Sequence, residues 1–335
     1  MPEPASYGAD STGLVWGYHF RPGARTVAID SDAALELLAH PFGELDGFLW
    51  LHFSLGTASC EPWLRRHLQL PEEFFELLSY TGGSTRIEQQ DDSLIAVLND
   101  VLFEFTFDPS NIATVYVCVQ PQILVTVRPR PVRSIDRLRV SVRTNEFASP
   151  AALLAHLLNA QADVLVEIVR DSTTRIDAIE DGILQGRTGT RRAELGTLRR
   201  TLVRLQRLLA PEPAGLFRLL NRPIEWLSED DLEDLRAAAE DLATAVGDSR
   251  AFIERVRLLQ EELGAIEAER ANRTLFILTL VTVLALPINL VAGLFGMNVG
   301  GIPLAEHSLG FEAIVVTLGL STAAAGLLVM RALRR

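Results

Sequence analysis

Lysine is missing from this chain: all 31 basic side chains are arginine. That is a base-composition bias with little functional weight. Cysteine is nearly missing, with two residues, Cys60 and Cys118. Both fall in the portion expected to be cytoplasmic and are expected to be reduced thiols. No C-x-x-C or H-x-x-x-H spacing occurs, and His52, Cys60 and His67 are too scattered to form a zinc-ligand set. An excess of positive charge is also lacking. The net charge of -12 argues against nucleic acid as a partner, because phosphate binding needs a basic surface. An acidic mass suits cation handling, and equally suits ordinary solubility. Met1 to Gly13 lacks both a basic n-region and an apolar h-region, so no cleaved signal is expected.

Charge of either sign is lacking in two C-terminal stretches, Thr274 to Ala305 and Ala313 to Met330. The first exceeds the ~20 apolar residues that cross a bilayer as a helix, and the second reaches the lower end of that range. A core helix would not be so long and so bare of polar residues. The expectation is a two-helix C-terminal transmembrane hairpin: 272–295 as the first span, 296–312 as an outer loop, and 313–330 as the second span. A basic tail, 331–335, follows. Arg270 and Arg273 precede the hairpin, and Arg331, Arg334 and Arg335 follow it. The connection carries only Glu306, His307 and Glu312. The positive-inside rule then puts both termini in the cytoplasm and the connection outside.

About 270 residues remain on the cytoplasmic side, enough for at least one substantial core. Up to residue 148 the chain alternates strand-like and helix-like signals. β-rich runs occur at Gly13–His19, Phe48–Leu55, Ser93–Phe107, Thr114–Val119 and Ile123–Val127, with a helical segment at Glu61–Ser79. This pattern predicts an α/β layered domain over 1–148. From 149 to 271 the texture is helical. Ser149 can cap and Pro150 suits the first turn of a helix running to about Leu184. A turn follows at Gly186 to Thr190. A second helix, Arg191 to Leu209, has a basic face and is expected to end at Pro211 and Pro213. Ser228 and the acidic residues after it then start a third helix with a favourable first turn. No proline recurs before Pro287, so a stalk helix through Phe295 would be about 100 Å long. Its near-heptad positions Leu232, Leu235, Ala239, Leu242, Val246, Ile253, Val256 and Leu263 call for partner helices, from the same chain or from other copies.

Within the first span, Asn272, Thr279, Thr282 and Asn289 fall within an arc of about 100° with Leu275, Leu286 and Gly293. Such a polar stripe faces protein or water rather than lipid. Helix–helix hydrogen bonding and a pore on an oligomer axis explain it equally well from periodicity alone. Two details favour the pore: Pro287 removes a hydrogen bond inside the span, and Gly296-Met297-Asn298 follows at its outer end. A ring of asparagine carbonyls can hold a hydrated divalent cation without stripping its water, which suits reluctantly dehydrating Mg²⁺.

A C-terminal hairpin whose first helix ends in Gly-Met-Asn, after a very long helix and an acidic α/β domain, resembles the CorA divalent-metal transporters. The resemblance covers essentially the whole chain. Trp50-Leu-His-Phe, Leu209-Ala-Pro-Glu-Pro, Trp226-Leu-Ser-Glu-Asp and Gly293-Leu-Phe-Gly-Met-Asn-Val-Gly-Gly-Ile-Pro303 are similar to the ZntB zinc-transporting branch. The resemblance implies a homopentameric funnel in the cell inner membrane. It implies Gly296, Met297 and Asn298 as the selectivity filter, with Asn298 as the outer metal-contacting ring. It further implies a conduit lined by Asn272, Leu275, Leu278, Thr282, Leu286 and Asn289. Leu278 lies off the centre of the stripe and rests on the resemblance alone. Glu306, His307 and Glu312 would form the outer mouth, with His307 the histidine there that titrates near neutrality. Magnesium-transporting members carry Met-Pro-Glu after Gly-Met-Asn; here Gly-Gly-Ile-Pro-Leu follows, which supports the zinc branch.

The resulting expectation is a transporter, not an enzyme, with no bound cofactor. It imports divalent cations, Zn²⁺ foremost, through a pore on the axis of a homopentamer in the lipid bilayer, with proton coupling as an added possibility. The alternatives are a passive Mg²⁺, Co²⁺ or Ni²⁺ channel of the same fold, and a membrane-tethered sensor or scaffold that moves no ion.

Overall fold

The computed structural model describes residues 8–40, 45–79, 85–106, 108, 111–184, 191–222, 224–297 and 308–333. The chain divides into two compact units, Met1–Gln260 and Glu261–Arg335.

The first unit is built on a seven-stranded sheet in the order β2-β1-β3-β7-β6-β5-β4. Its strands are β1 (Leu14–Phe20), β2 (Val27–Ile29), β3 (Phe48–Ser54), β4 (Arg86–Gln90), β5 (Ser93–Val101), β6 (Ile112–Gln120) and β7 (Ile123–Arg128). All neighbours pair antiparallel except β3 and β7, which run parallel. The inner strands β3, β5 and β7 are buried along almost their whole length, so both sheet faces are covered. That is why they read as unbroken apolar runs rather than as alternating ones.

One face carries the apolar core. Leu49, Leu51, Phe53, Val125 and Val127 meet Trp63, Leu64, Phe74 and Phe75 of α2 (Cys60–His67) and α3 (Glu72–Ser79). The sequence predicts a single helix over Glu61–Ser79; instead the chain extends at Leu68 (φ -121, ψ 140). Pro71 cannot continue the helix either. The predicted strand at Ser93–Phe107 is also shorter, ending at Val101. Helices α1 (Ser31–Leu38) and α4 (Arg133–Ser141) and the edge strands β2 and β4 are additional to the sequence reading.

The opposite face meets α4 and the long helix α5 (Pro150–Leu184). Ser149 caps α5, its Oγ accepting from the Ala152 N–H at 2.9 Å. The expected turn at 186–190 lies outside the described residues. Helix α6 (Arg191–Leu209) stops where predicted, yet Pro211 then opens α7 (Pro211–Leu220). A first-turn position suits proline, since its missing N–H would have had no helical partner.

Helix α8 is a single 67-residue helix, Glu229–Phe295. Ser228 begins it as the sequence predicts, with Ser228 Oγ accepting from the Asp231 N–H and donating to the Asp231 carboxylate. Within the first unit its near-heptad positions Leu235, Ala239, Leu242, Val246, Ile253 and Val256 are buried. They pack inside the same chain. Arg236 reaches the Leu220 carbonyl of α7, and Arg255 reaches Asp177 and Glu180 of α5. The second unit holds the remainder of α8 and the helix α9 (Gly310–Leu333).

Candidate ion-conduction site

The candidate site begins with the apolar half of α8. From Asn272 to Met297 no residue is fully buried, and Leu275, Leu278 and Leu286 are 60%, 63% and 65% exposed. Burial is graded around the helix. Leu280, Leu284, Ala285 and Val291 are half-buried, as are Ile314, Leu318 and Thr322 of α9. Pro287, Val291 and Phe295 line a groove of about 400 Å³ with Ala313, Ile314, Thr317, Leu318 and Ser321. One face of α8 therefore lies against α9.

The stripe singled out in the sequence occupies the other face. At 100° per residue, Asn272, Leu275, Thr279, Thr282, Leu286 and Asn289 centre roughly 160° away from the Leu284–Val291–Phe295 face. Leu278 sits at the border of this exposed face. Pro287, by contrast, lies on the α9 side and does not belong to the stripe.

The polar members of the stripe differ in how they are satisfied. Thr279 Oγ1 donates to the Leu275 carbonyl at 2.8 Å, and Thr282 Oγ1 donates to the Leu278 carbonyl at 2.9 Å. Such back-bonding meets the hydroxyl's donor requirement within its own helix. Asn272 and Asn289 are exposed. Their amides, which cannot be satisfied this way at low cost in an apolar surrounding, call for water or a neighbouring chain.

The helix ends at Phe295, and Gly296 N–H still bonds the Ala292 carbonyl at 2.9 Å. A Cβ on Gly296 would stand 3.1 Å from that same carbonyl oxygen, so glycine suits this last turn. Met297 follows, 48% exposed. Asn298, Glu306 and His307 lie outside the described residues. Glu312 is exposed in the first turn of α9, where a carboxylate complements the helix dipole. The structure thus brings Asn272, Leu275, Thr282, Leu286 and Asn289 onto one face and places Gly296 and Met297 at its C-terminal end.

The first unit holds polar centres that the sequence reading passed over. Glu212, at the second position of α7, is fully buried; it accepts from the Asn99 N–H and from Gln161 Nε2, each at 2.7 Å. Burial pushes its carboxyl up to about 8, against the pull of those hydrogen bonds, with Asp100 nearby adding to the rise. Asp100 is itself raised by burial although Ser134 and the Val101 N–H bond it. The signal was a glutamate between two prolines in Leu209-Ala-Pro-Glu-Pro, a segment noted only for its resemblance. Cys60 and Cys118 are free and buried, and burial pushes both thiols up to about 12. Among the described residues no three His, Cys, Asp or Glu side chains group as a metal site.

A family model described as "CorA-like Mg2+ transporter protein" matches residues 46–335. The chain is 29% identical over 318 residues to the divalent cation transporter CmaX of Pseudomonas aeruginosa, covering 92% of this chain and 93% of that one. It is 26% identical over 278 residues to the zinc transport protein ZntB of Yersinia enterocolitica, covering 81% of this chain and 85% of the relative. Among solved structures, full-length CmaX superimposes with a TM-score of 0.79 at 24% identity, over 98% of this chain and all of that one. The CorA magnesium transporter of Methanocaldococcus jannaschii gives 0.68 at 19% identity, over 94% and 96%. At these identities the structural likenesses speak for the fold.

Proposed function

The chain belongs to the CorA-like Mg²⁺ transporter family, a family of divalent cation transporters, and from that membership we propose that it imports divalent cations, Zn²⁺ foremost, across the cell inner membrane. The carrying observation is the bare face of α8. A helix packed on α9 along one side, with Asn272 and Asn289 uncovered on the other, is not a finished membrane protein. One such helix cannot enclose water. Five copies arranged with their stripes inward would bury those amides around a wet axis and present the apolar remainder to lipid. The α8–α9 pair would be a transmembrane hairpin, with both termini cytoplasmic.

On this reading Asn298 forms a carbonyl ring at the outer mouth. It holds the ion through its hydration shell, with Glu306, His307 and Glu312 drawing cations to the entrance. Leu275 and Leu278 form an apolar constriction that gates by dewetting. The zinc assignment rests on similarity to zinc transport proteins. Oxygen ligands are not what Zn²⁺ prefers, so a passive Mg²⁺ channel is the second reading, favoured by the family's own description.

The test is metal influx into proteoliposomes holding the purified protein, Zn²⁺ against Mg²⁺, with and without an inward proton gradient. Zinc uptake that rises with the gradient supports coupled import, and gradient-independent flux of both ions establishes the passive channel. Asn298→Ala should lower flux at least tenfold with assembly unchanged. Well-assembled wild-type protein that carries neither ion overturns transport in favour of a membrane-tethered sensor.

A further inference from the structure

The basic face of α6 takes no part in the transport reading. Leu195, Leu198, Leu202, Leu205 and Leu209 are buried on one side of this helix. At 100° per residue, Arg199, Arg200, Arg204 and Arg207 centre roughly 160° away from them. All four are exposed, and with Gly196 and Val203 they line a groove of about 450 Å³. Gln260 of α8 completes the lining, with its Oε1 3.4 Å from the Arg199 guanidinium. Among the described residues no carboxylate lines the groove. Glu194, the one acid of α6, sits in its first turn. It lies roughly 140° round the helix from the arginines.

Two features separate this groove from an ordinarily solvated face. The first is charge. Arg200 and Arg204 are four residues apart, and Arg204 and Arg207 three, spacings at which like charges on a helix repel. Among the described residues no carboxylate pairs with any of the four; Arg199 and Arg200 reach the neutral Gln260 and Thr197. The chain as a whole carries a net charge of -12, so this concentration of positive charge is local. The second feature is space. Gly196 lies inside α6, where glycine weakens a helix. A Cβ there would stand 3.7 Å from the Arg200 guanidinium and 4.0 Å from the Gln260 amide. Any longer side chain would fill the groove between them. The helix thus gives up stability twice, to hold like charges together and to keep the space beside them open.

We propose that this groove binds a soluble polyphosphate, of the nucleoside triphosphate or inorganic tripolyphosphate type. Guanidiniums take phosphate oxygens in bidentate pairs, a geometry that water does not reward. From Arg199 to Arg207 the four extend over about 12 Å of helix. That spread suits charge distributed along a chain of phosphates better than charge on one group. The volume is that of a small-molecule site rather than of a macromolecular surface. Val203, 40% exposed, adds an apolar patch against which a sugar or base can rest. The bound anion relieves the repulsion among the arginines and joins α6 to α8 through Gln260. The site is independent of the transport reading.

The experiment uses the full-length protein in detergent, melted under tryptophan fluorescence. Excess EDTA and fixed ionic strength keep metal chelation and screening out of the result. Sodium tripolyphosphate should raise Tm saturably by about 3 °C. Gly196→Leu leaves every charge in place but fills the groove. It should raise the unliganded Tm, and raise the half-saturating tripolyphosphate about tenfold. Arg204→Gln should weaken binding by a similar factor. Its unliganded Tm should be no lower than wild type, because two like-charge contacts are gone. Arg222→Gln, an exposed arginine outside the groove, should leave the response intact. A wild-type Tm indifferent to tripolyphosphate means a solvated face only and overturns the proposal. A response unchanged in Gly196→Leu overturns it as counter-ion adsorption. A rise given by dioctanoyl phosphatidic acid and not by tripolyphosphate overturns it in favour of a lipid headgroup. A fall in assembly mass by light scattering in Arg204→Gln overturns it in favour of a contact between copies.

Discussion

Among the described residues three helices are long and apolar enough to cross a membrane, and two of them, α5 and α8, meet opposite fates. In α5, 61% of the most apolar stretch is buried inside the protein; in α8 none of it is. Both pass on length and composition, and what separates them is burial together with the fate of their side-chain amides. Near the start of α5 polar side chains find partners across the fold: Gln161 donates to Glu212 of α7, and Ser149 at its cap bonds Asp231 of α8, while Ser172, Thr173 and Thr174 further along turn back on their own helix. In α8, Thr279 and Thr282 turn back on their own helix, and Asn272 and Asn289 stand exposed. A helix whose apolar surface is covered and whose amides reach tertiary partners is a core element. One whose polar groups are satisfied locally, with apolar surface left bare, is solvated by lipid or by other copies.

Truncation should break this comparison most visibly. Leu158 of α5 is fully buried, and Leu158→Ala should cost about 2–5 kcal/mol. Leu286 of α8 is 65% exposed, and Leu286→Ala should change stability by less than about 0.5 kcal/mol. All four tryptophans, Trp16, Trp50, Trp63 and Trp226, precede α8, so fluorescence-detected melting reports the first unit alone. If Leu286 lines the conduit, its variant should alter metal flux at unchanged Tm. Equal loss of Tm in the two variants would mean that the bare face of α8 is structural.

A second, smaller effect sets the buried polar partners of α5 against pH. The Glu212 carboxyl titrates at about 8 in the folded chain against 4.5 in a free side chain. The folded state therefore holds a proton that the unfolded state releases. The resulting stability is complete below about 4.5 and is lost as pH rises through 8. Asp100, also raised by burial, acts in the same direction. His52 and His156 are both held low by burial and oppose the trend below 6.5. The window from 6.5 to 8 lies above the histidine contributions and includes the Glu212 titration. There, stability should fall by an amount on the order of 1–2 kcal/mol, and Glu212→Gln should flatten the slope. An unchanged slope in that variant would assign the titration elsewhere.

How much of this was legible in the sequence follows the same division. The two apolar C-terminal helices could be read because charge is missing from them, and β3, β5 and β7 because strands covered on both faces are continuously apolar. The edge strands could not be read: β4 is Arg-Ile-Glu-Gln-Gln, and β2 has three residues. Helix α4 carries three arginines around its buried Ile135 and Leu138, which hides its apolar side. The polar stripe of α8 emerged from periodicity. The face that meets α9 did not, because Leu280, Leu284 and Val291 are as apolar as their neighbours and only packing distinguishes them. The proline-flanked Glu212 offered a signal, but its partners could not be read, since its donors lie 113 and 51 residues away in the chain.

The smallest expected effect concerns the contact that joins the two helices directly. Arg255 of α8 bonds Asp177 of α5 at 2.9 Å and both oxygens of Glu180 at 3.0 Å. The three side chains are 33–56% exposed, so water screens the attraction and the ordering of a long arginine offsets part of it. Arg255→Gln should lower the tryptophan-detected Tm by only about 1–2 °C, corresponding to roughly 0.5 kcal/mol. The difference from wild type should shrink further in about 1 M salt. A loss several times larger would mean that α8 is held to α5 by charge rather than by the buried stripe from Leu235 to Val256. The long helix would then be anchored to the soluble unit electrostatically, and its apolar positions there would contribute far less than their burial implies.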